Sequence, residues 1–186
     1  MKKNYLIFNI LFAFVFVACT NNDSNKKSQQ KIAISARENI EKVNKFLNEK
    51  DKDKIESFLR RQNLQAMFDE IGFWISPIEK GNGTKIKDGS AVMLKGTISL
   101  LDGTLCYNYS EENPLMFVVS RSNEISGTTN SQNATSGLHS ALMLMQEQER
   151  AVLIFPPHLA HGIIGDGENI PPRSILVYDI KILEVQ

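Results

Sequence analysis

The sequence predicts an α+β fold in which an antiparallel sheet wraps around one short helix and a helical N-terminal arm precedes both. Three observations carry that expectation. Residues 31–70 contain neither Gly nor Pro, and their apolar side chains recur every three or four positions, the spacing of one helix face. The final stretch from Ser174 to Val185 alternates, with Leu176, Tyr178, Ile180 and Ile182 on one side and Val177, Asp179 and Lys181 on the other, the period of a strand. Between these ends lie short apolar runs punctuated by turn residues, and Gly137–Met145 repeats at helical spacing through Leu138, Leu142 and Met145. Strands around a single short helix form an α+β layer arrangement.

In chain order, Ile40, Val43, Phe46 and Leu47 form a first helical set, Ile55, Phe58, Leu59 and Gln62 a second, and Leu64, Met67 and Phe68 a third, with two helices meeting near Asp51. The run Glu49-Lys50-Asp51-Lys52-Asp53-Lys54 alternates in sign and reads as a solvated face. A helical stretch of this kind buries no core of its own, so it must pack on the domain or on a second copy. Gly72 breaks the pattern. Phe73–Ile78 reads as a strand, Glu79–Gly83 and Lys87–Gly89 as turns, and Ala91–Ser99 as a strand. Leu101–Thr104 is a hairpin-like corner, Leu115–Val119 and Arg150–Phe155 are strands, and Gly127–Gly137 is a long polar loop. Trp74, the sole tryptophan, is expected to pack the arm against the sheet.

Lys+Arg and Asp+Glu both total 21, for a formal net charge of zero, which argues against nucleic acid as a partner. Lys2 and Lys3 precede an apolar run from Tyr5 to Ala18 that is broken only by Asn9. That run falls short of the roughly 20 apolar residues a membrane-spanning helix needs and fits a secretory signal. Phe16-Val17-Ala18-Cys19, followed by the polar Thr20–Asn25, resembles a bacterial lipobox. The resemblance implies a signal peptide over 1–18, lipid on Cys19, a flexible tether over 19–30, a helical arm over 31–71 and a domain over 72–186. Each buried acyl CH₂ contributes about 0.8 kcal/mol to such an anchor. Thr20 after the cysteine points to the outer membrane, so the expected place is the cell envelope. With Cys19 acylated, Cys106 is the one thiol left; no intrachain disulfide forms, and Cys106 reads as a small buried apolar residue.

The most specific motifs lie near the end: Phe155-Pro156-Pro157-His158-Leu159-Ala160-His161-Gly162, then Ile170-Pro171-Pro172-Arg173 running into the alternating strand. Upstream, Gly81-Asn82-Gly83, Asp88-Gly89, Leu101-Asp102-Gly103-Thr104, Pro114 and Gly137-Leu138 follow in order. Over about residues 72–185 this set resembles the FKBP-type peptidyl-prolyl cis-trans isomerases, and no single Gly-rich turn would carry the likeness alone. The lipobox, the arm and the Gly165-Asp166 loop together look most like the lipoprotein FKBPs associated with gliding motility in Bacteroidota.

The resemblance implies an FKBP-like sheet around its helix and isomerisation of X-Pro bonds in proline-containing protein clients, without metal or other cofactor. It assigns catalytic positions to Tyr178, His161, Leu138 and Phe117, and substrate-binding positions to Leu115, Ile125, Ile170, Tyr107 and Cys106. Leu115, Phe117 and Tyr178 would wall the cleft, Leu138 would floor it, Ile170 would rim it, and Ile125 would present a backbone N–H. His161 stands where the family's tyrosine donates to a substrate carbonyl, and Leu138 where many relatives have tryptophan. Cys106 and Tyr107 stand where a Phe-Asp pair is usual, so that strand position lacks its carboxylate. These changes keep a second reading open, in which the domain is a catalytically weak binding or chaperone module or a structural subunit of an envelope machine.

Overall fold

The structure, a computed structural model, describes residues 22–121 and 133–186. The chain forms two compact units, divided between Leu47 and Asn48. Cys19 and Ile125 lie outside the described residues, as do the signal segment and most of the 127–137 loop.

Helix α1 runs without interruption over Asn22–Gln62, where two helices were expected. Neither Gly nor Pro lies near Asp51 to break it, and it begins inside the stretch read as a flexible tether. It ends before the third apolar set. Asn63 adopts a left-handed conformation with φ 52°, its N–H reaches the Arg60 carbonyl at 3.3 Å, and the Leu64 N–H reaches the Leu59 carbonyl at 3.0 Å. This is a Schellman ending, for which Asn is one of the two suitable residues. Arg60 and Arg61 in the last turn complement the partial negative charge there. Met67 and Phe68 consequently form a short strand and not a helical turn. In the first unit Ile34, Ile40, Val43 and Phe46 are each more than half exposed.

Among the described residues of the second unit, seven strands form one antiparallel sheet. They are β1 (Met67–Phe68), β2 (Trp74–Glu79), β3 (Ala91–Leu100), β4 (Leu105–Tyr109), β5 (Leu115–Val118), β6 (Arg150–Phe155) and β7 (Leu176–Val185). The order is β1-β2-β6-β7-β3-β4, and β5 pairs with the first half of β3 while β4 pairs with the second. Strand β4 lies in sequence read only as a corner and its sequel. Helix α2 covers Ser136–Leu142, and a 3₁₀ turn covers Pro157–Leu159.

The two-residue period of the strands divides the apolar residues between two cores. Phe73 and Ile75 of the β2 region, Ala151, Leu153 and Phe155 of β6, and Leu176, Tyr178, Ile180 and Ile182 of β7 face α2. Trp74, Val152, Ile154 and Val177 face the other way and meet Ile55, Phe58 and Leu59 from the last turns of α1. Trp74 therefore joins helix to sheet, as its sequence context suggested. Beyond the reach of α1 that outer face is ionic. Arg150 grips Asp179 through Nε and Nη2 at 3.0 and 2.9 Å. Lys181 pairs with Glu79 at 2.8 Å, and Lys95 with Glu111. Lys95 and Lys181 stand directly opposite each other across β3 and β7, a repulsive arrangement that the two glutamates offset.

Asp51 departs from the solvated face expected of its charge run. It is 3% exposed and bonds the Arg173 guanidinium at 2.7 Å, so one charge of the run faces inward while Lys52 and Lys54 stay outside.

Two glycines set the approach of the layers. A Cβ on Gly137 would fall 2.6 Å from Phe155 Cδ1 and 2.7 Å from the Leu159 carbonyl oxygen, so α2 starts in contact with β6 and the 3₁₀ turn. Gly96 sits mid-β3 at φ 144°, and its Cβ would fall 2.0 Å from the Asp179 carbonyl oxygen. Gly96→Ala is expected to cost about 2–4 kcal/mol through combined backbone strain and clash, read as a lower urea midpoint at unchanged m-value.

Candidate functional site

The inner core is bordered by Cys106 and Tyr107 of β4 and by Leu159 and Ala160 at the 3₁₀ turn. Tyr178 projects from β7 and is wholly buried, its ring edge-on to Phe155 with centroids 5.1 Å apart. Leu138 lies in the first turn of α2, where the Thr135 hydroxyl accepts the Leu138 N–H at 3.4 Å and caps the helix. Phe117 and Leu115 come from the inward row of β5, and Ile170 from the segment before Pro171. These five residues belong to one buried cluster, with Cys106 and Tyr107 packed at its edge half-buried.

Three polar groups among the described residues serve this cluster and escaped the sequence reading. Asn133, 2% exposed, donates from Nδ2 to the Tyr109 hydroxyl at 2.6 Å, and its backbone carbonyl accepts from the Tyr178 hydroxyl at 3.4 Å. Nothing in its polar surroundings marked it for burial. His139 is also 2% exposed. Its Nδ1 accepts the Ser120 N–H at 3.1 Å, and its ring stands perpendicular to Phe117 at 5.1 Å. The third is Asp166. Its Oδ2 accepts the Tyr107 hydroxyl, and its Oδ1 accepts the N–H groups of Glu168, Asn169 and Ile170 at 2.9, 3.0 and 2.8 Å. An Asp-Gly pair after a glycine is a legible turn signal, but its partner on β4 is not.

His161 leaves the 3₁₀ turn half-buried, and its Nε2 is buried without a hydrogen-bond partner among the described residues. Burial pushes its imidazole pKa down, against the opposing pull of the Asp166 carboxylate, so the ring is neutral at pH 7. The exposed pair Ile163 and Ile164, at 79% and 77%, follows it directly.

The electrostatics follow from burial first. Burial raises the Tyr178 phenol beyond the normal tyrosine range. It also raises Tyr107, which together with the bond to Asp166 is pushed up to about 12. Burial raises the Cys106 thiol, reinforced by the nearby Asp166 and Asp102 carboxylates. Cys106 is thus a protonated, half-buried thiol, close to its expected character. For Asp166 burial acts upward but is outweighed by the Tyr107 hydroxyl and the N–H groups of Glu168 and Ile170, which hold the carboxyl at about 2.

The arrangement is an apolar floor with a hydrogen-bonded rim. Its hydroxyl–carboxylate pair, Tyr107 and Asp166, is a rim contact, and turning an amide requires no nucleophile.

Comparisons with known proteins agree with this geometry. A family model described as FKBP-type peptidyl-prolyl cis-trans isomerase matches residues 82–183. The chain is 25% identical over 191 residues to the FKBP-type peptidyl-prolyl cis-trans isomerase FkpA of Escherichia coli strain K12, covering 100% of this chain and 65% of that relative. It is 30% identical over 118 residues to the peptidyl-prolyl cis-trans isomerase Fkbp12 of Drosophila melanogaster, covering 62% of this chain and 100% of that protein. The crystal structure of FkpA from Escherichia coli superposes with a TM-score of 0.60 at 25% identity, covering 100% of this chain and 83% of that one.

The Asp166 carboxyl lies below its ordinary value of 3.8 when folded. Its contribution to stability is therefore present above about pH 4 and is lost as pH falls toward 2. Across that window Asp166→Asn should lose less stability than the unmodified protein, as urea midpoints at stepped pH would show.

Proposed function

The chain belongs to the FKBP-type peptidyl-prolyl cis-trans isomerase family, and on that premise we propose that it catalyses rotation about X-Pro bonds in exported or envelope proteins. An X-Pro amide resists rotation because resonance makes its C–N bond partly double, with a barrier of about 18–20 kcal/mol. At the half-rotated state that resonance is lost, and the carbonyl oxygen carries less charge. An apolar surface disfavours the planar, more polar amide relative to the twisted one, which lowers the barrier. The proline ring would lie against Tyr178, Phe117 and Leu138, with Leu115 and Ile170 as walls. In its Nε2–H tautomer His161 would donate to a client carbonyl, the task performed in the family by a tyrosine.

What supports the reading most is the gathering of Tyr178, Leu138, Phe117, Leu115 and Ile170 into one cluster, with an unpartnered imidazole nitrogen beside it. The chain spans 65% of the length of the Escherichia coli relative, so clients and partners are proposed from this chain's own features. The lipobox-like Phe16–Cys19 and the preceding signal-like run support an outer-membrane lipoprotein anchored through Cys19. The likeness to the gliding-motility lipoproteins supports a role as folding or assembly factor for a motility apparatus.

One observation favours the second reading, a weak binding or chaperone module. Tyr178, Leu138 and Leu115 show no exposed surface at all, so a client ring reaches them only after side chains move.

Exchange NMR or protease-coupled assay of Xaa-Pro peptides with the chain after Cys19 tests the proposal. Turnover above background with Phe or Leu before proline is expected. His161→Tyr should raise kcat/KM by about threefold to tenfold, the worth of one better-placed hydrogen bond. Binding of proline-containing peptides without any turnover would replace isomerase by binding module.

A further inference from the structure

Position 107 holds tyrosine where the family resemblance calls for aspartate, yet the cleft has a carboxylate. It arrives from the loop between His161 and Ile170. Asp166 lies 59 residues from Tyr107 and accepts its hydroxyl. The other oxygen collects the N–H groups of Glu168, Asn169 and Ile170. The loop backbone closes on itself around this side chain. The Gly165 N–H bonds the His161 carbonyl at 3.2 Å, the Asp166 N–H bonds the Ile170 carbonyl at 3.2 Å, and the Arg173 N–H bonds the Gly162 carbonyl at 2.9 Å.

An Asp that only shaped a turn would use one oxygen on nearby N–H groups. Here the second oxygen is committed to a phenol on another strand, and hydrogen bonds to an ionised acceptor are about twice as strong as neutral ones. The loop carries a cleft residue at each end, His161 at its start and Ile170 at its finish. A clamp at its middle sets both.

We infer that Asp166 is a positioning residue for prolyl isomerisation: it supplies from the 161–170 loop the carboxylate that position 107 lacks, and ties His161 and Ile170 to β4 through Tyr107. The inference rests on the isomerase reading above. Asp166 acts on the client only through the residues it holds. The half-buried Tyr107, stacked against Tyr109 with ring centroids 6.3 Å apart, is the fixed end of the clamp.

The test compares Asp166→Ala, Asp166→Asn, Tyr107→Phe and the Tyr107→Phe/Asp166→Ala double variant with the unmodified chain after Cys19. Exchange NMR on an Xaa-Pro peptide gives turnover, and NMR titration gives the ionisation of His161. Asp166→Ala should lower kcat/KM by about tenfold or more, and Tyr107→Phe by about threefold to tenfold. Asp166→Asn, whose amide oxygen still accepts the three N–H groups but whose NH₂ cannot accept the Tyr107 hydroxyl, should lower kcat/KM by about threefold to tenfold, as Tyr107→Phe does. The double variant should be no worse than Asp166→Ala, because both changes break one coupled unit. Asp166→Asn should also lower the His161 pKa by removing a nearby negative charge.

Equal turnover in Asp166→Ala and the unmodified chain would overturn the inference. So would multiplying losses in the double variant, or a His161 titration unmoved by Asp166→Asn. Should Asp166→Ala fail to fold, the two conservative variants still decide through turnover and titration. If the unmodified chain itself turns over no peptide, the isomerase reading falls, and the His161 titration in Asp166→Asn still decides whether Asp166 governs that ring.

Discussion

The second unit depends on the two-residue alternation of β6 and β7. Every inward residue of these neighbouring strands, from Ala151 to Phe155 and from Leu176 to Ile182, enters one core. Their outward neighbours Val152, Ile154 and Val177 enter another. A shift of one residue in either strand would exchange the two sets, moving Tyr178 out of the inner core and changing the surface that receives the last turns of α1. The register of β7 against β6 and β3, from Leu176 opposite Phe155 and Leu100, therefore fixes the inner core and the helix seat together.

Burial of the inner face limits where polar chemistry occurs on it. It collects where the inner core meets β4 and the segment between the 3₁₀ turn and β7. Asn133 ties Tyr109 to Tyr178 there, and Asp166 ties Tyr107 to its loop. Hydrogen-bonded buried polar groups are costly to break and specify one arrangement. Three atoms among the described residues are buried without a partner: Asn133 Oδ1, His139 Nε2 and His161 Nε2. An unmet group of this kind costs stability in the free protein and is compensated when a ligand supplies the partner.

The same loop is also held from the outer side. Arg173, at φ 59°, gives its backbone N–H to Gly162 and its guanidinium to the buried Asp51 of α1. Removing Arg173 would take the close partner from the buried Asp51 carboxylate, which is costlier than losing a surface pair. The His161–Arg173 segment is thus fastened to β4 on one side and to α1 on the other, an unusual degree of restraint for a connection.

Much of this was legible in the residues. The alternation of Ser174–Val185, the stripe of Gly137–Met145 and the absence of Gly and Pro from 31–70 are local periodicities, and local periodicity follows from backbone geometry alone. They determined the α+β class, the faces of β7 and the helical arm, and the ordered turn motifs drew attention to five residues that share the inner core. Other features needed the folded chain. Whether Asp51 in an alternating charge run faces water or Arg173, whether Asn133 in a polar loop is buried, and whether Asp166 serves its own turn or a tyrosine 59 residues away are long-range pairings. Composition and spacing describe what a segment prefers by itself, whereas a side chain's partner is chosen by which other segment the fold brings within hydrogen-bonding distance.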